Sequence, residues 1–99
     1  MKTNFNSLLQ GKQLVLVDFY ATWCGPCKAL NPILQEVKKE VGEAVKIIKI
    51  DVDKNQNLSQ KFQVRGVPTL ILFKNANPVW RQSGVVSAND LKQLIQSNL

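Results

Sequence analysis

Leu14-Val15-Leu16-Val17-Asp18-Phe19-Tyr20, followed after Ala21 and Thr22 by Trp23-Cys24-Gly25-Pro26-Cys27, decides the fold. The first segment is a near-continuous apolar run rich in Val and aromatic residues, the pattern of a central strand covered on both faces. The second breaks that pattern, and Leu30, Ile33, Leu34, Val37 and Val41 then recur at spacings of three and four. This predicts one helix from about Pro26 to Val41. Pro26 suits a first turn, where its missing N–H is no loss, and Gly42 supplies a stop. Pro32 lies inside the helix, where it removes one hydrogen bond and clashes with the preceding turn, so a kink is expected there.

Working outward, Val45 to Val52 reads as a second strand, Asn57 to Phe62 as a short helix, and Pro68 to Phe73 as a third strand. Lys74-Asn75-Ala76-Asn77-Pro78 reads as a five-residue turn into an edge-like fourth strand, Val79 to Gln82. Ser87-Ala88-Asn89-Asp90 has the spacing of a capping box, followed by Leu91, Leu94 and Ile95 on one face of a helix ending near Ser97. Crossovers that contain helices imply a parallel pair and the tight turn an antiparallel one, so the sheet is mixed. Helices must cover both of its faces. The reading is an α/β fold, one domain over residues 1–99, with no internal repeat.

Composition narrows the function. The 99 residues are 44% apolar and 20% charged, which suits a single compact domain. No apolar run is long enough to cross a bilayer, and Met1 to Asn6 lacks the apolar core of a secretory signal, so the expected location is the cytoplasm. Thirteen Lys and Arg against seven Asp and Glu give a formal charge of +6. Only Lys38 and Lys39 are adjacent among the lysines and arginines, and no basic stripe is legible along the chain. Specific nucleic-acid binding is therefore not expected; a salt-sensitive preference for acidic partner proteins fits better. Asp51-Val52-Asp53-Lys54-Asn55 begins like a calcium loop, but Gln56 stands where Gly is needed and Phe62 where Glu is needed. Histidine is absent and there are two cysteines, so no tetrahedral zinc site is expected within one chain.

The chemistry falls to Cys24 and Cys27. A bridge closing so short a loop stabilises little by restricting the unfolded chain, so a structural staple explains the pair poorly. They sit where a parallel strand ends and a helix begins, the usual crevice for function in an open α/β sheet. Backbone N–H groups and the helix dipole favour an anionic sulfur there, which makes Cys24 the expected nucleophile, with a depressed pKa. Cys27, one turn further in, is expected to be more buried and to attack the mixed disulfide formed on Cys24. Gly25 permits close approach of a substrate chain, Pro26 holds the turn, and Trp23 offers an aromatic wall. Asp18 interrupts a buried apolar strand. It reads either as a satisfied structural carboxylate or as the group that manages the Cys27 proton. Lys49 could pair with Asp18 if the first two strands are adjacent.

Val17 to Lys28 resembles the active-site segment of the thioredoxin family nearly letter for letter. The likeness continues through Pro32, Lys49, Arg65-Gly66-Val67-Pro68-Thr69-Leu70, Phe73-Lys74-Asn75 and Gly84. The resemblance implies a thioredoxin fold and a protein-disulfide reductase, with Cys24 attacking, Cys27 resolving, Asp18 carrying the proton and Lys49 as its partner. It also implies a cis-proline at Pro68 and a substrate groove lined by Trp23, Gly25, Pro26, Val52, Gly66, Val67 and Gly84, in which the Val67 backbone pairs with the substrate like an added strand. No cofactor or metal would be bound. A thioredoxin reductase drawing on NADPH would re-reduce the Cys24–Cys27 disulfide, and a monomer would serve disulfide-bearing targets in cell redox homeostasis and electron transport. Three departures stand out. About a dozen residues precede the first strand, where the family usually has another, so four strands are expected, with Thr3 to Gln10 helical or irregular. Ala76 stands where the family commonly has Gly, so a residue of that turn, an Asn among the candidates, is expected at positive φ. The charge is basic where many members are acidic.

Overall fold

The computed structural model describes residues 5–11 and 13–99. The elements run α1 (Phe5–Leu9), β1 (Leu14–Tyr20), α2 (Gly25–Val41), β2 (Lys46–Asp51), α3 (Gln56–Lys61), β3 (Thr69–Lys74), β4 (Asn77–Ser83) and α4 (Ala88–Ser97), with a single 3-10 turn at Gly42–Ala44 between α2 and β2. The four strands form one sheet in the order β2-β1-β3-β4. β1 pairs parallel with β2 and antiparallel with β3, and β3 pairs antiparallel with β4. The apolar run Leu14 to Tyr20 is therefore an inner strand, as its composition requires. Of the N-terminal segment expected to be helical or irregular, Phe5–Leu9 is helical; Thr3 and Asn4 lie outside the described residues.

Alternation along β1 divides the core in two. Leu14 and Leu16 join Leu70, Leu72, Leu30, Leu34, Val37, Leu91 and Ile95 under α2 and α4. Val15, Val17 and Phe19 join Ile71, Phe73 and Leu9 on the opposite face, where Phe5, Leu58 and Phe62 of the α1 and α3 regions pack. Successive strand residues point to opposite faces, so Asp18 belongs to the α2 face. Each buried Leu, Ile or Phe contributes about 1.5–3 kcal/mol relative to exposure. The two clusters thus hold helices on both sides of the sheet and fix the start of α2 at the C-terminal end of β1.

α2 is one continuous helix despite Pro32, which lies on its exposed side, where water can reach the carbonyl left without an intrahelical donor. It ends as expected at Gly42, whose N–H donates to the Lys38 carbonyl at φ 57°. α4 is capped by Ser87, whose hydroxyl accepts from the Asp90 N–H at 3.1 Å.

The turn between β3 and β4 departs from the sequence reading. It holds two residues, not five, because Lys74 pairs with Asn77 across the hairpin. Asn75 and Ala76 both take positive φ, 51° and 68°, the geometry whose twist matches that of the flanking strands. Asn77 and Pro78 look like turn residues in sequence but belong to β4. A register shift falls between Leu72 and Phe73, which pair with Trp80 and Pro78, and Pro78 is accommodated on the sheet edge, where a missing donor is tolerated.

Candidate active site

Cys24 is the N-cap of α2, with extended backbone (φ −88°, ψ 115°). Its Sγ accepts the Cys27 backbone N–H at 3.1 Å, the bond that Ser or Asp usually supplies at this position. Sulfur thus replaces oxygen at a point where orphan N–H groups and the helix dipole favour negative charge. Cys24 and Cys27 are joined in a disulfide, with Cα atoms 5.3 Å apart.

The expected contrast in burial between the two cysteines is absent. Cys24 is 4% exposed and Cys27 3%. Both pack with Ala21 against Tyr20, Val52 and Val67. What distinguishes them is their surroundings. Cys24 is flanked by exposed Trp23 (70%), Gly25 and Pro26, and its Sγ lies 3.6 Å from the Val67 carbonyl oxygen. Cys27 belongs to the first turn of α2, on the side that packs onto the sheet.

A second loop completes the site. The Val67–Pro68 bond is cis, as the resemblance implied. Thr69 Oγ1 donates to the Gly66 carbonyl at 2.6 Å and shares a 2.9 Å hydrogen bond with Ser83 Oγ, tying the turn before Pro68 to β4. The Gly84 N–H donates to the Pro68 carbonyl at 2.8 Å, and Gly84 has φ 93°, which a side chain would strain. Trp23, Val52, Gly66 and Val67 line a concavity of about 150 Å³, with Val64 and Arg65. Of the other groove residues named from sequence, Gly25 and Pro26 lie exposed at the start of α2, and Gly84 lies beyond Pro68.

Sequence reasoning missed two residues here. Asp53 Oδ2 accepts the Trp23 indole N–H at 2.9 Å, so the aromatic wall is held from the β2–α3 loop. Asp51 Oδ1 in turn accepts the Asp53 N–H at 2.9 Å. The acidic pair that looked like half a calcium loop thus folds the loop and anchors Trp23. Thr69 is the other omission: it was read as a strand residue and as part of the family segment, with no role for its hydroxyl, although buried hydroxyls are mostly hydrogen-bonded.

Asp18 is fully buried, and neither carboxylate oxygen has a hydrogen-bond partner among the described residues. Burial raises its pKa from 3.8 to about 6, against the opposing pull of the Lys49 charge. No side chain or backbone group among the described residues supplies the partner that a satisfied structural carboxylate would have. The strands are adjacent and Asp18 registers with Lys49, yet the two make no ion pair. Lys49 is exposed, its Nζ donates to Asn31 Oδ1 at 2.7 Å, and it lies 4.6 Å from the centre of the Tyr20 ring. A long, strongly hydrated ammonium keeps its head in water while its stem crosses the sheet edge. Its influence on Asp18 is a field, not a contact.

A Cys-x-x-Cys disulfide at the N-terminus of a helix, facing an X-Pro turn and backed by a buried carboxylate, defines a thiol–disulfide oxidoreductase. The thioredoxin family model matches residues 1–97. Thioredoxin Y, chloroplastic, of Oryza sativa subsp. japonica is 45% identical over 98 residues, 98% of this chain and 58% of that protein. Thioredoxin of Buchnera aphidicola subsp. Baizongia pistaciae is 44% identical over 88 residues, 89% of this chain and 81% of that one. A mutant thioredoxin from Halobacterium salinarum NRC-1 superposes with a TM-score of 0.89 at 39% identity, over 99% of this chain and 85% of that structure. The chain belongs to the thioredoxin family. It spans little more than half the length of the rice relative and most of the bacterial one.

Proposed function

We propose that this chain reduces protein disulfides by two successive thiol–disulfide exchanges. One observation carries the reading: Cys24 Sγ is the N-cap acceptor of α2, so the reduced sulfur is stabilised as the thiolate, the form that attacks. A target disulfide enters beside Val67. The Cys24 thiolate attacks one of its sulfurs, forming a mixed disulfide and expelling the other target sulfur as a thiolate. Cys27 then gives up its proton and attacks Cys24 Sγ. This forms the Cys24–Cys27 bond and releases the second target thiolate. Two electrons have moved from the chain's dithiol to the target.

Asp18 serves the second exchange. A carboxyl with a pKa near 6 lies close enough to neutrality to exchange protons with a thiol during turnover, and its strand face puts it beneath the first turns of α2. We assign it the Cys27 proton, passed through water. Val67 offers its backbone to an extended target segment, a mode that gives affinity without demanding a particular sequence. The broad target range this implies suits a general reductase in the cytoplasm that serves redox homeostasis and electron transport as a monomer. A thioredoxin reductase using NADPH would regenerate the dithiol.

Insulin-disulfide reduction with dithiothreitol tests the activity. The native chain is expected to precipitate the insulin B chain and Cys24→Ser to lose that activity; equal rates with and without Cys24 would refute the assignment. Cys27→Ser is expected to trap targets as mixed disulfides on Cys24.

A further inference from the structure

The lysines that look dispersed in sequence converge on one side of α2. Positions 28, 31, 35, 38 and 39 are separated by three, four, three and one, so Lys28, Asn31, Gln35, Lys38 and Lys39 share a stripe along the helix. Across from it stands β2, an edge strand, with Lys49 on its outer part. Between them runs a groove of about 610 Å³ with Leu34 and Ile47 in its apolar lining, and its basic residues are Lys38, Lys39 and Lys49. A cleft of about 210 Å³ beside Cys27 and Lys28 meets this groove at Asn31 and Lys49. The two depressions thus form a channel that leads from Cys27 along the helix past four lysines and is crossed partway by the Lys49–Asn31 hydrogen bond.

Among the described residues none of these lysines is held in an ion pair, although Lys49 acts at a distance on buried Asp18. Lys38 Nζ donates to the Gly42 and Val45 carbonyls and Lys49 to Asn31. The acids of the same helix are on another face, where Glu36 and Glu40 both pair with Lys92 of α4. Charge on α2 is therefore segregated, acidic toward α4 and basic toward β2. The channel offers no aromatic platform for bases apart from Tyr20 at its Cys27 end, and that ring is covered by Lys49.

We infer that this channel is a docking groove for an acidic, extended segment of the disulfide-bearing target, lying next to the target cysteine in its chain. The inference rests on the reductase reading above and adds a specificity element on the side of the disulfide opposite the Val67 turn. From Lys28 to Lys39 the helix rises about 16 Å, the length of roughly five extended residues. The segment therefore carries its acidic residues within about five positions of the cysteine. Exposed ammonium groups act over about 8–10 Å at ordinary ionic strength, so the preference weakens with salt.

Two measurements on the full chain separate this inference from the activity it rests on. In the first, the oxidised chain is titrated by fluorescence anisotropy with a labelled cysteine-free octapeptide rich in Asp and Glu. In the second, the reduced chain is mixed with disulfide-bonded peptides whose cysteine neighbours are acidic, neutral or basic. The acidic probe is expected to bind, and the acidic disulfide to be reduced about three to ten times faster than the neutral one, the size of one or two exposed ion pairs. Both effects should disappear at 0.5 M salt and in Lys28→Gln/Lys39→Gln, which should reduce the neutral peptide at the native rate. Equal rates for the three peptides, or a preference that survives the double substitution, would overturn the groove and leave the reductase intact. Binding of the acidic probe without reduction of any peptide would sink the reductase reading and leave the groove standing. Tighter binding of a single-stranded oligonucleotide or of anionic vesicles of phosphatidylserine than of the acidic probe would also overturn the assignment.

Discussion

Two fully buried polar residues stand at the same end of neighbouring strands, and the sheet treats them in opposite ways. Thr69 begins β3 with its hydroxyl bonded both to Gly66 and to Ser83. Asp18, one register position away on β1, has neither oxygen bonded to any of the described residues. A satisfied buried group holds a loop in place; an unsatisfied carboxyl has its pKa moved toward neutrality, where it can exchange a proton. The proposed mechanism uses both, because it asks the turn at Val67 and Pro68 to be rigid where the target would lie and the proton beneath α2 to move.

The sharpest way to break this comparison is Asp18→Asn. Resolution of the mixed disulfide should slow at least about tenfold at pH 7, with the initial attack by Cys24 little changed; stopped-flow measurement of the two phases checks this, and equal slowing would remove Asp18 from the proton path. The same substitution should raise stability. The folded carboxyl keeps its proton up to about pH 6 whereas the unfolded one releases it near 3.8. The folded state therefore binds more protons across that window, and native stability falls as pH rises through it. The full penalty, about 3 kcal/mol at most, is present above pH 6 and absent below 3.8. Urea denaturation should find Asp18→Asn more stable than the native chain at pH 8 and near parity at pH 3.5.

Thr69→Val should do the reverse. It keeps the shape, removes both hydrogen bonds and is expected to destabilise by about 1–3 kcal/mol. Because Thr does not titrate, the loss should be the same at pH 4 and pH 8. Its looser turn should lower kcat/KM for insulin as well. A pH-dependent loss would mean that Thr69 and Asp18 are coupled and that the contrast is false.

The smallest effect lies farthest from the site. Ala76 holds φ 68° in the β3–β4 turn, a conformation that is unfavourable for any residue with a Cβ. Ala76→Gly should stabilise by about 0.5–1 kcal/mol in thermal unfolding without changing insulin reduction, marking this strained position as one the chemistry does not use.

How much was legible in sequence follows the same physics. The β1 run, the α2 periodicity and the Cys-Gly-Pro-Cys junction are local patterns, and they placed the strands, the main helix and the sulfur pair. The β3–β4 turn was misjudged because Asn77 and Pro78 are ordinary turn formers, and only strand register shows that they pair. The separation of Lys49 from Asp18 depends on where a flexible ammonium points, which no spacing encodes. Thr69 and Asp53 were overlooked because their partners come from other loops. The basic stripe of α2 stayed hidden for a simpler reason: read along the chain the lysines are scattered, and only helical geometry and the β2 edge bring them together.

The account turns on the sulfur that caps α2. Alkylating the reduced chain with limiting iodoacetamide between pH 5 and 9, and mapping the products by mass spectrometry, tests this most directly. Cys24 should react at least about ten times faster than Cys27 at pH 7, with a midpoint below the ordinary thiol value of about 8.5. Modification of both cysteines at the same rate, or of Cys27 first, would contradict it.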